Sequence, residues 1–117
     1  MLTIRREQLR VLGEVMQRRF EERMLAHLRA EFPAVTRGQT DDDLLALVRR
    51  GVASAEPYGV RTEVDVQRYL EYMMIYGPDF DTNPRSAWAG DILRTEGIGG
   101  AKKMDWIDDY DLFVSRP

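Results

Sequence analysis

Apolar residues recur along this chain at steps of three and four, the spacing that lines one side of an α-helix. Leu9, Leu12, Met16, Phe20, Met24 and Leu28 trace such a stripe, and arginines and glutamates fill the positions between them. The stripe predicts a long first helix, capped at Thr3 and running to about Glu31, with Glu14 and Arg18 at the favourable spacing of four. Phe32-Pro33 ends it, because the residue before a proline avoids the helical region.

The segment AVTRGQ reads as a loop from its glycine and polar content. Thr40 then caps a second helix whose first turn holds Asp41, Asp42 and Asp43, carboxylates that complement the positive end of the helix dipole. Leu44, Leu45, Leu47, Val48 and Val52 supply its buried face, and Pro57 and Gly59 close it. Thr62 opens a third helix, with Asp65 in the place of the usual Glu of a capping box. Val66, Tyr69, Leu70, Met73 and Tyr76 form its stripe, and Gly77-Pro78 stops it. Tyr72, Met73, Met74, Ile75 and Tyr76 leave the last turn apolar nearly all round, so this helix is either buried on several sides or offers a spare face to a partner.

Asn83-Pro84 reads as the cap and first residue of a fourth helix that carries Trp88, Ile92 and Leu93 inward and frays near Glu96. The run GIGG is a flexible break. A last helix, Lys102 to about Phe113, presents Met104, Ile107 and Tyr110 or Val114. No strand-length alternation and no internal repeat competes with the helices. The expected fold is an all-α, single-domain bundle (residues 1–117) of four to five helices. Its long N-terminal helix is expected to pack across the second and third, with 97–117 as a loosely attached last helix.

Composition narrows the classes further. With 117 residues, 44% hydrophobic and 32% charged, the chain suits one globular domain rather than a disordered or membrane-spanning segment. The absence of cysteine excludes disulfides and any Cys-based metal site or nucleophile. MLTIRREQLR has charge before any apolar run, so no signal-peptide core is present and the cytoplasm is the default compartment. The net charge of −3 is unevenly placed: seven arginines face five glutamates up to Glu31, whereas Asp79 to Pro117 holds eight acids and five bases.

No catalytic pattern stands out. Asp79, Asp81 and Asn83 open like a calcium loop, but Pro84 and Gly90 stand where that loop needs its glycine and its bidentate glutamate. His27, the only histidine, has Ser54, Ser86 and Ser115 as formal partners, without a glycine elbow around any serine. GIGG with Lys102 and Lys103 lacks the spacing of a phosphate loop. Paired carboxylates such as Asp108 and Asp109 suit a solvated face better than acid–base work. The stretch ASAEPYGVRTEVDVQRYL has the outline of a helix-turn-helix, but its second helix opens with Glu63 and Asp65, and only Arg61 and Arg68 would favour a duplex. The favoured reading is protein binding, since tyrosine, methionine and tryptophan are enriched at interfaces, with a helix-turn-helix DNA-binding protein as an alternative. Tyr72, Met74, Tyr76 and Phe80 are the expected contact residues, and Asp108, Asp109 and Asp111 the expected acidic docking group.

YGV-x-TE-x-DV-x-x-YL-x-x-M (Tyr58 to Met73), GPDFD (Gly77 to Asp81) and P-x-x-x-WA-x-x-IL (Pro84 to Leu93), with FEERMLAHLR and EFP earlier, resemble a group of small all-helical bacterial proteins. Members of that group are often encoded beside spike, PAAR or toxin genes of type VI secretion loci. Pro57 departs from its pattern just before the YG pair. The resemblance implies a non-enzymatic accessory protein: an adaptor or chaperone for a secreted effector, with an immunity protein as the alternative. It implies no catalytic residue, cofactor or metal. The expected partner is an effector, toxin or spike component rather than nucleic acid or membrane, with a homodimer open as well.

Overall fold

The computed structural model describes the backbone of residues 6–115 and the side chains of residues 13–114. Every regular element among them is helical. The α-helices are α1 (Arg6–Glu31), α2 (Pro33–Thr36), α3 (Asp41–Ala55), α4 (Glu63–Tyr76), α5 (Ala87–Leu93) and α6 (Gly100–Tyr110). Short 3₁₀ turns occupy Glu56–Tyr58 and Pro84–Ser86, and a π turn occupies Asp111–Ser115. The class is all-α with a long N-terminal helix, as the patterning predicts. No described helix is long and apolar enough to cross a membrane. Contacts divide the chain into two units, Met1–Leu45 and Ala46–Pro117, with the division inside α3.

In the first unit Phe20, Met24 and Leu28 are buried, whereas Met16 is 58% exposed. The apolar stripe of α1 is therefore buried from Phe20 onward and not at Met16; Thr3 and the side chains of Leu9 and Leu12 lie outside the described residues. Phe32 leaves the helical region (φ −128°), and Pro33 begins α2 at a position where a missing N–H is no loss. The expected AVTRGQ loop therefore starts as a helical turn. Its Thr36 is buried and donates to the Phe32 carbonyl at 2.9 Å. Arg29 fastens the connection, donating to the carbonyls of Thr36 (3.2 Å) and Gln39 (2.8 Å) and to Asp41 (2.8 Å). Thr40 and Asp43 then form a reciprocal capping box: the Thr40 N–H donates to Asp43 Oδ2 at 3.2 Å, and the Asp43 N–H to Thr40 Oγ1 at 3.1 Å.

In the second unit α3 ends through the turn at Pro57, and Gly59 takes the left-handed conformation (φ 81°). Thr62 caps α4 by accepting the Asp65 N–H at 3.3 Å, and its hydroxyl donates to Asp65 Oδ2 at 2.8 Å. Gly77 closes α4 with its N–H on the Met73 carbonyl. Asn83 accepts the Arg85 N–H at 2.9 Å and opens a 3₁₀ turn, so α5 starts only at Ala87. Tyr69, Leu70, Met73, Phe80, Leu93, Met104 and Ile107 build the core of this unit. The GIGG run is more than a flexible break. Its last glycine starts α6 against the backbone of Gly59, where a Cβ on Gly100 would lie 2.1 Å from the Gly59 carbonyl oxygen.

Candidate functional site

The aromatic residues expected at the surface are stacked inside the second unit. Tyr72 (6% exposed), Met74 (7%) and Phe80 (0%) are core residues, and Tyr76 is half-buried. α4 is buried on several sides, the first of the two alternatives its sequence leaves open, because the loop carrying Phe80 and helix α6 both cover it. Ring contacts run from Tyr69 to Phe80 (4.8 Å between centroids), on to Tyr72 (6.1 Å) and Tyr76 (6.3 Å), then Trp88 (5.5 Å) and Tyr110 (4.6 Å). Such pairs add to simple area burial. Tyr72, Met74 and Phe80 are thus core residues and not the exposed surface expected of them.

The acidic group is divided in the same way. Arg68 reaches from α4 to three carboxylates: Asp65 at 3.0 Å, Asp105 at 2.7 Å and Asp108 at 2.6 Å. Tyr72 donates to the other oxygen of Asp108 at 2.6 Å, and Tyr76 donates to Asp111, itself buried. Burial works against the Arg68 charge, but the hydrogen bonds it donates to Asp108 and Asp105 outweigh it and raise its pKa. Asp108 and Asp111 therefore tie α6 and the π turn after it to α4, and Asp109 alone of the expected acidic group is exposed. Lys103, also buried, donates to the Tyr58 carbonyl at 2.9 Å.

Tyr58 donates to Asp81 at 2.7 Å, and burial, then that bond, raise its pKa above 10.0. Tyr69 is fully buried, and among the described residues its hydroxyl has no partner within hydrogen-bond distance; burial first, then the charge of Asp81, raise its pKa too. The folded state favours the neutral phenols. Their contribution is complete below the unfolded value of 10.0 and is lost as the pH climbs from there through the higher folded values. Stability should hold up to about pH 10 and fall beyond it. In a phenolate-absorbance titration followed with circular dichroism, Tyr69 should ionise only as the helices melt, and Tyr58 should ionise above pH 10.0. Ionisation of all five tyrosines near pH 10.0 with helices intact would contradict this.

The other candidates acquire structural partners. Ser86 is buried and donates to the Phe80 carbonyl at 2.7 Å. Asp81 holds Tyr58 and Asn83 caps a turn, so two of the three calcium-loop residues have bonding roles of their own. Among the described residues no cluster of three or more His, Asp or Glu could hold a metal ion. Both arginines that would favour a duplex engage carboxylates, Arg61 with Glu56 at 3.0 Å and Arg68 with its aspartates.

What the second unit does expose is a shallow, open apolar groove on α5, α6 and the π turn. Ile92 of α5, Trp106, Asp109 and Tyr110 of α6, and Phe113 and Val114 of the π turn line an open space of about 400 Å³. Trp106 (39%), Leu112 (61%), Phe113 (70%) and Val114 (57%) face solvent. Val114, a candidate for the inward stripe, is outside because the backbone widens into a π turn at Asp111 and shifts the helical phase. A signal was present in the sequence: three consecutive apolar residues, Leu112-Phe113-Val114, cannot all face the core from one helix. No protein-family model matches the chain, and no curated protein and no solved structure matches it either.

Proposed function

We propose that this chain is a non-enzymatic protein-binding module that docks its partner on the groove formed by Trp106, Tyr110, Phe113 and Val114. The observation that carries the reading is the clustering of large exposed apolar side chains around one concavity. Contiguous apolar patches of this kind mark interaction sites, and aromatic residues are the usual anchors of binding energy. The face replaces the one expected at Tyr72, Met74 and Phe80, which are buried. The resemblance to proteins of type VI loci favours an accessory role as adaptor or chaperone of an effector, with immunity to a cognate toxin as the alternative. An immunity protein protects cells that express the toxin; an adaptor is needed for delivery and protects nothing. DNA binding has less support, since Arg61 and Arg68 already hold carboxylates.

Trp106→Ala and Phe113→Ser should each weaken partner binding by about 2 kcal/mol, roughly thirtyfold. Both side chains are substantially exposed, so the helical content should stay near that of the parent. Quantitative pull-down from the native host, parent against variants, measures this. Equal recovery of the same partner by parent and variants would remove the groove from the interface.

A further inference from the structure

We draw no further inference here: the strongest candidate, the open apolar groove between α5, α6 and the π turn, belongs to the docking face already described, and nothing in the structure shows what covers it.

Discussion

Gly100→Ala is expected to destabilise the fold by about 3 kcal/mol, at the upper end for overpacking, because the contact is between backbones. A Cβ at Gly100 would sit 2.1 Å from the Gly59 oxygen, 2.5 Å from the Gly59 carbonyl carbon and 2.8 Å from the Val60 nitrogen. No rotamer change relieves such a clash, and Gly59 is itself pinned in the left-handed conformation. α6 would have to move outward. That motion would pull the fully buried Met104 and Ile107 out of register and stretch the bond from Lys103 to the Tyr58 carbonyl. Gly99→Ala is the matched control: a Cβ there meets nothing within 4 Å, and φ −79° and ψ 166° suit any residue. It should stay within about 0.5 kcal/mol of the parent. Urea unfolding of the two variants measures the difference, and equal midpoints would mean that α6 does not start against Gly59.

Arg68→Met should cost about 2–3 kcal/mol, less than a fully buried ion pair would, because the cluster is partly wet. Side-chain exposure runs from 10% at Asp65 and 21% at Arg68 to 45% at Asp108 and 66% at Asp105, so Asp105 contributes least. The loss comes mainly from leaving Asp65 and Asp108 near one another with no cation between them. Two further results follow from that origin. Asp108→Asn on top of Arg68→Met should cost less than the sum of the two single changes, since one of the uncompensated charges is gone. Added salt should recover part of the Arg68→Met loss by screening the carboxylates. Additive single changes, or a salt-independent loss, would place the cost in packing of the arginine stem instead.

These two positions also show where sequence reasoning stops. The caps at Thr40 and Thr62 and the stop at Gly77-Pro78 were legible because each involves residues within a few positions of one another. Arg68 meets Asp105 and Asp108 across separations of 37 and 40 residues, and no local pattern names such partners. Gly100 read as part of a flexible break because a sequence shows that a side chain is missing but not what stands in its place. The misplacement of Tyr72 and Met74, both on α4, has another cause. Helical periodicity reports one buried stripe and cannot say how many neighbours cover a helix, so a helix covered on several sides looks like one with a spare face. Phe113 was missed because a regular helix was extended through residues where the backbone takes a π turn, whereas Trp106 stands on the regular α6, off the stripe of Met104 and Ile107.

The most direct test of the docking face is site-specific photocrosslinking in the native host. A photoreactive residue is placed either at Phe113 or at Val64, an apolar position on α4 that is equally exposed at 71% and does not line the groove. The account predicts one discrete heteromeric adduct from position 113, lost when Trp106→Ala is added, and none from position 64. Adducts from both positions alike, or from position 64 alone, would contradict it.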